Sequence, residues 1–278
     1  MPAAPTCIQP SDVAGQLAQL QQNRSRPTAI IFLSGPSATQ VPIETLRQHD
    51  VICVNGSIDY LLLNDVKPFI YLVTDHNFFL KRKQTFFTNA ARAENLVVSR
   101  ELYDRASAEE KQRLAGLDAV VIDRASKSKK SGIRRKLRLA RKYHGCRNVD
   151  YQAPWLKRQS IIGYSRDISH GYFHCRTVAY AALQLAESLD YQTAYLAGFD
   201  MNAAAGRFYE SDNQPRLRTT LDQDYDVIVA SLTFMKSVSQ MKAYNMSLHT
   251  RIPYDVLPFA RPATLLPEQR IADPAVTL

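Results

Sequence analysis

The chain has 278 residues, 45% of them hydrophobic, with ten glycines, four cysteines and a net charge of +9. That is enough apolar material for one large α/β domain or two small ones, and the absence of GxGxxG and GxxxxGK[ST] argues against a standard dinucleotide fold and a P-loop. The cysteines (Cys7, Cys53, Cys146, Cys175) are widely spaced without a CxxC, so free thiols of a reducing, cytoplasmic compartment are expected rather than disulfides or zinc. No basic region followed by an apolar core opens the chain, so no secretory leader is expected, and no apolar run approaches the ~20 residues that span a bilayer.

In chain order, residues 1–26 read as a loosely tethered N-terminal segment with one weak helix, Val13–Gln22. Short apolar runs, rich in β-branched and aromatic residues, predict strands at Ala29–Leu33, Val51–Val54, Phe69–Val73, Leu96–Val98 and Ala119–Ile122. Helix-like stretches alternate with them, including Pro42–Gln48 and Ala106–Leu114, the latter opened by a Ser107/Glu110 capping box. Between Arg124 and Lys142 lie ten Lys/Arg and no acid, which leaves the rest of the chain at −1. Ile133, Leu137 and Ala140 are spaced along one helical face there. Arg134, Arg135, Lys136 and Arg138 are therefore expected to meet an anionic surface: a membrane, a phosphorylated glycolipid or nucleic acid.

Asn148–Ser165 reads as irregular. A helix over Thr177–Leu189, a strand over Ala194–Leu196 ending at Gly198-Phe-Asp200, a polar stretch over Asn202–Arg218, a helix over roughly Tyr225–Ala243 and a last strand over Tyr254–Leu257 follow. The alternation predicts an α/β fold, a mostly parallel sheet with helices on both faces. Residues 27–260 form its domain, with 124–147 as an inserted basic segment and 261–278 as a tail.

Ligands of open parallel sheets sit outside the carboxyl ends of the strands. The first two strand ends here carry Gly35, Pro36, Ser37, Asn55, Gly56 and Ser57, a lining suited to a nucleotide-bearing ligand. Asp75 and Asp200 each close an apolar run and can serve as a general base, or cap the next helix. Arg207 and Tyr209 follow Asp200 in a probable loop; an Arg fork and a Tyr hydroxyl suit a departing phosphate. Asp222-Gln-Asp224 is a DxD directly ahead of a helix, a cap region before it is a metal site. Asp167-Ile-Ser-His-Gly171 stands before a long helix whose N-terminus offers amides to an anion. His170 and His174 are four apart, but no third metal ligand is evident, so no metal is expected.

These residues resemble the WaaZ (RfaZ) lipopolysaccharide core biosynthesis family, to which transfer of a third Kdo residue is attributed. The similarity runs from about Ile30 to Pro258. It is carried by Ile30-Ile-Phe-Leu-Ser-Gly-Pro36, Val54-Asn-Gly-Ser57, Pro68-Phe-Ile-Tyr71 with Thr74-Asp75, Asp167-Ile-Ser169 with Gly171-Tyr172, Arg207-Phe-Tyr209, and Thr250-Arg-Ile252 with Tyr254-Asp255-Val256. More distantly, Gly35-Pro-Ser37, Asn55 and Tyr195-Leu-Ala-Gly-Phe-Asp200 look like bacterial CMP-sialic-acid sialyltransferases, which have a Rossmann-like, metal-independent GT-A-variant fold.

The resemblance implies a glycosyltransferase that moves Kdo from CMP-Kdo onto the Kdo-bearing lipid A inner core, peripheral on the inner face of a Gram-negative inner membrane. It implies CMP contacts at Gly35, Ser37 and Asn55, and a leaving phosphate near Arg207 or Tyr209. Asp167, Ser169, His170, Gly171 and Arg251 are candidate donor- or acceptor-binding residues. The sialyltransferases place a histidine base where this chain has Asp222 and Asp224, so the base is sought among Asp75, Asp200 and Asp224. The alternative is a non-enzymatic membrane- or nucleic-acid-binding protein that works through the basic segment. RNA binding would favour aromatics interleaved with that segment's basic residues, and none lies between Arg124 and Lys142.

Overall fold

The computed structural model describes residues 13–126, 133–152, 161–202, 206, 208, 220–262 and 265. In chain order these form α1 (Val13–Gln22), β1 (Thr28–Phe32), α2 (Ile43–Arg47), β2 (Asp50–Val54), α3 (Ile58–Leu63), β3 (Ile70–Val73), α4 (His76–Lys81), α5 (Lys83–Ala90), β4 (Asn95–Ser99), α6 (Arg100–Arg105) and α7 (Ala108–Gly116). There follow β5 (Val120–Ile122), β6 (Arg124–Ser126), α8 (Ile133–Lys142), β7 (Val149–Gln152), β8 (Ile162–Ser165), β9 (Tyr172–Phe173), α9 (Val178–Ser188), β10 (Thr193–Ala197), α10 (Leu221–Val238) and β11 (Lys242–Asn245).

Seven strands make one sheet in the order β11-β10-β1-β2-β3-β4-β5, and every neighbouring pair is parallel. Alternate side chains of each strand bury on opposite faces. Ile31, Ile52, Leu72 and Val97 pack with α1, α9 and α10, while Ile30, Phe32, Val51, Tyr71 and Val98 pack with α2 to α7. Burial on both faces explains why the strands read as continuous apolar runs. The chain leaves β1 toward β5 and returns to β10 on the other side of β1. The β1/β10 junction is therefore the switch point of the sheet, the place where open parallel sheets receive their ligands.

The Ser107/Glu110 capping box forms as expected. Other expectations are corrected. The helix expected over Tyr225–Ala243 ends at Val238, where Ser239 Oγ accepts from Met241 N at 3.1 Å and turns the chain into β11. Tyr254–Leu257 is a turn rather than a strand, closed by Val256 N and Leu257 N donating to Pro253 O at 2.9 and 3.1 Å. Asn148–Ser165 contains the antiparallel pair β7–β8. The basic segment begins as a strand, since β6 pairs with β9.

Gln184, fully buried in α9, accepts from Ser165 N (3.1 Å) and Phe173 N (2.9 Å) and donates to Phe173 O (2.9 Å). This side chain locks β8 and β9 onto the sheet's helical layer. It thereby places residues 174–176, which follow β9.

Candidate active site at the strand ends

At the switch point, β1 and β10 continue as interlocked turns. Leu33 N donates to Ala197 O at 2.9 Å and Gly35 N to Gly198 O at 3.1 Å. A Cβ on Gly35 would stand 2.5 Å from Gly198 O and 2.6 Å from Asp200 Oδ2, so no side chain fits. Pro36 opens a 3₁₀ turn, Pro36–Gln40. Ser37 N donates to Asp200 Oδ2 at 2.9 Å, its hydroxyl donates to Asp200 Oδ1, and Ser247 Oγ lies 2.6 Å from that hydroxyl. Asp200 is 8% exposed and holds the two turns together.

Asn55, at the end of β2, has a left-handed backbone (φ 47°), and its Oδ1 is buried with no hydrogen-bond partner among the described residues. A buried amide oxygen left unpaired is costly unless something else satisfies it. Gly56 is buried beside it. The Ser57 hydroxyl accepts from Val54 N at 3.0 Å and reaches Phe32 O at 2.8 Å, so it ties β1 to β2. Phe208 packs on Tyr60 (centroids 5.6 Å apart) and its N–H donates to Ser34 O at 3.1 Å. Arg207 and Tyr209, its sequence neighbours, lie outside the described residues.

Further along the edge, Asp75 is exposed and caps α4, accepting from Asn77 N at 2.9 Å. Beside it lies a charged cluster that sequence reasoning missed. Glu101 Oε2 pairs with Arg124 Nη1 at 2.8 Å, and Glu101 Oε1 lies 3.3 Å from His76 Nδ1. Arg124 Nε donates to the Tyr172 hydroxyl at 3.1 Å. Arg176 Nε faces Asp224 Oδ1 at 3.6 Å. His174 stands among these groups with its Nδ1 buried and unpaired among the described residues. Burial first, and then Arg124 and Arg176, lower its pKa to about 4. The available signal was the turn Cys175-Arg176-Thr177 ahead of a helix, with Thr177 capping α9 at 3.3 Å to Ala179 N.

Other candidates fall elsewhere. Asp167 caps its own 3₁₀ turn by accepting from Ser169 N at 2.9 Å, and Ile168 N donates to Ser188 Oγ at 2.8 Å. Ser188 ends α9, roughly 15 Å of helix from Thr177 at the strand-end edge. Asp167 and Ile168 therefore sit at the C-terminal end of α9, with Tyr172–Arg176 between them and the helix N-terminus, while His170 O accepts from the Tyr143 hydroxyl at 2.7 Å, just past α8. Gly171 turns the chain (φ 102°), and a Cβ there would stand 3.0 Å from Ala125 N. Arg251 pairs with Asp222 and stacks over Tyr225 at 4.6 Å, near the switch point, where its N–H donates to Asp200 O at 3.1 Å.

Arg134 and Arg138 are exposed on α8 beside Ile133 (59% exposed) and Leu137 (45%). Lys136 is corrected: it is 1% exposed and turned into the protein, on the side of α8 that buries Leu139. The Arg135 side chain lies outside the described residues. Arg124 is likewise directed into the cluster, where it pairs with Glu101.

A parallel α/β fold with polar side chains gathered at its switch point, and no dinucleotide or P-loop fingerprint, defines a Rossmann-like class of protein. The chain belongs to the 3-deoxy-D-manno-octulosonic acid transferase WaaZ family, whose family model matches residues 13–263. It is 35% identical over 244 residues to a probable 3-deoxy-manno-octulosonic acid transferase of Salmonella typhimurium, covering 87% of this chain and 89% of that protein. It is 34% identical over 245 residues to a probable 3-deoxy-manno-octulosonic acid transferase of Escherichia coli K12, covering 87% and 85%. The protein is thus a glycosyltransferase of lipopolysaccharide synthesis, not a non-enzymatic binding module.

Among solved structures it is similar to the sialyltransferase CstII from Campylobacter jejuni in complex with cytidine-5'-monophosphate, with a TM-score of 0.46, 16% identity, and 84% and 85% of the two chains covered. It is also similar to the Maf glycosyltransferase from Magnetospirillum magneticum AMB-1, with a TM-score of 0.46, 14% identity, and 92% of this chain and 39% of that one covered.

Proposed function

We propose that the protein transfers Kdo from CMP-Kdo to an acceptor hydroxyl on the Kdo-bearing lipid A inner core. The observations that support the nucleotide site are the buried Asn55 Oδ1, unpaired among the described residues, and the tight turn at Gly35, packed against Gly198 and Asp200. Both stand at the strand ends where a parallel sheet receives its ligand. Kdo is a 2-keto sugar acid activated as its CMP ester, so breaking the bond from sugar C2 to the phosphate oxygen releases CMP.

An aspartate at the edge takes the acceptor hydroxyl's proton while the new C2–O bond forms. Asp75 is favoured because it is exposed at the strand-end edge, whereas the two oxygens of Asp200 are engaged by Ser37 and Asp224 faces Arg176. Arg207 and Tyr209 assist the departing phosphate, and no metal is required, since charged and hydroxyl donors can stabilise that group. Among the described residues no group of three His, Cys, Asp or Glu is arranged to hold a metal ion.

The acceptor is an amphiphile, and α8 supplies a surface for it. Ile133 and Leu137 are exposed beside Arg134, Arg138 and Arg141, while the buried Tyr143 donates to His170 O at 2.7 Å and fixes the helix to the body. Among the described residues no helix is long and apolar enough to cross a membrane. We therefore place the protein peripherally, on the anionic inner face of the inner membrane.

The test is mass spectrometry of Kdo₂-lipid A after incubation with the protein and freshly generated CMP-Kdo. A product heavier by one Kdo residue is expected. An unchanged acceptor, with a folded protein that binds CMP, would overturn the acceptor or donor assignment.

A further inference from the structure

We propose that Arg124, His174 and Arg176 form a subsite for a sugar carboxylate and its neighbouring hydroxyls. The inference rests on the transferase reading and deepens it by naming the residues that receive the acidic sugar. The three side chains come from different parts of the chain, β6 and the turn between β9 and α9, and converge at the strand-end edge. Because α9 packs over β1, β2 and β10, its N-terminal turn with Arg176 stands above the strand ends that carry Gly35 and Asn55. The cluster therefore continues the nucleotide site along the same edge, where a sugar attached to the nucleotide, or the hydroxyl that attacks it, would lie.

The chemistry of the three groups is complementary. Each guanidinium is held from behind by an acid, Arg124 by Glu101 at 2.8 Å and Arg176 by Asp224 at 3.6 Å, and Arg124 also donates to Tyr172 at 3.1 Å. Such pairing orients an arginine fork and lowers the entropy lost when it grips a carboxylate. His174 lies in the field of both arginines and is partly shielded by Glu101 and Asp224. With its pKa lowered to about 4 the ring is neutral at physiological pH, one nitrogen a donor and the other an acceptor. That is what a sugar hydroxyl requires, and the buried Nδ1 has no partner among the described residues. Asp75, Arg105, the Arg100–Asp123 pair and the His76 ring also lie near these groups among the described residues. A set of purely structural ion pairs would account for the arginines but not for a buried imidazole nitrogen left unpaired among them.

Titration of the CMP-saturated protein with free Kdo reads the subsite without turnover. Binding is expected in the parent, and roughly 10- to 100-fold weaker binding in Arg176→Gln and in His174→Ala. Arg176→Lys, which keeps the charge, should recover part of it. CMP affinity and melting temperature should be unchanged in Arg176→Gln, whose side chain is 39% exposed. No binding by the parent, or equal binding by the parent and both variants, overturns the subsite. Steady-state transfer to Kdo₂-lipid A then separates the sources. A raised KM for CMP-Kdo assigns the subsite to the donor sugar, a raised KM for the glycolipid assigns it to the acceptor's Kdo, and neither change overturns it. A parent that binds Kdo yet transfers none would sink the transferase reading and leave the subsite standing.

Discussion

Ser37 and Asp200 lie 163 residues apart and meet at the switch point, where Ser37 donates both its N–H, at 2.9 Å, and its hydroxyl to the Asp200 carboxylate. This contact joins the turn after β1 to the turn after β10. Gly35 makes the approach possible. Its replacement by Ala puts a methyl group 2.5 Å from a backbone oxygen that cannot move without displacing β10. Gly35→Ala should destabilise the protein by about 1–3 kcal/mol and weaken CMP binding; chemical denaturation and a CMP titration measure the two effects. Wild-type stability and affinity in this variant would mean that the turns are not rigidly coupled.

Asn55→Ala should weaken CMP binding about tenfold or more while the protein stays folded, because the change removes an amide oxygen that has no partner among the described residues. Losing Asn at a left-handed position (φ 47°) also costs about 1 kcal/mol or so of stability. A thermal-shift series with CMP separates the two contributions. Undiminished CMP affinity would move the nucleotide elsewhere.

Asp75→Asn should lower turnover by ~10²–10⁴-fold with CMP affinity intact, as expected for loss of a positioned base. Turnover of the parent should survive EDTA. Near-normal turnover in Asp75→Asn would shift the role to Asp224, and loss in EDTA restored by Mg²⁺ or Mn²⁺ would bring Asp222 and Asp224 forward as metal ligands.

Combined replacement of Arg134 and Arg138 by Ser and of Leu137 by Ser should reduce partition onto anionic liposomes. Each basic side chain near such a surface contributes about 1 kcal/mol, and the effect should shrink at high salt. CMP binding should not change. Liposome binding equal to the parent's would leave α8 a solvated helix. Lys136, buried beneath the same helix, belongs to a different experiment: its removal should affect stability before membrane binding.

His174 should make folding acid-sensitive. Its pKa is about 4 in the folded protein against 6.5 for an unperturbed ring. Between those values the unfolded chain binds a proton that the folded one does not, so stability is intact above pH 6.5 and is lost as the pH falls toward 4. The loss approaches on the order of 3 kcal/mol at the bottom of that window. His174→Gln removes this contribution. The difference in unfolding free energy between variant and parent should therefore grow in the variant's favour as the pH is lowered through the window. A pH-independent difference would show that the ring is solvated and titrates normally.

What the sequence determined by itself is the run of strands β1 to β5 and β10, and the polar residues that end the first three. Runs such as Ala29–Leu33 and Phe69–Val73 are apolar on both faces and stop abruptly at small polar residues, and that pattern is local, set by burial along the strand and by the turn chemistry that ends it. The capping box at Ser107 and the cap at Thr177 are local in the same sense. The tertiary structure decided which polar residues are spent on the protein itself. Asp75 and Asp200 both close apolar runs in the sequence and Asp224 sits in a cap-like DxD, yet one is an exposed cap, one is engaged by Ser37 and one faces Arg176. Arg124 and Lys136 read as one basic surface, yet the first pairs with Glu101 and the second is buried. His174 was marked in the sequence only by its four-residue spacing from His170, which did not point to Arg124 or Arg176. The reason is physical: a polar side chain's role is set by its nearest partner, and in a parallel sheet with a switch point those partners come from segments far apart in the chain.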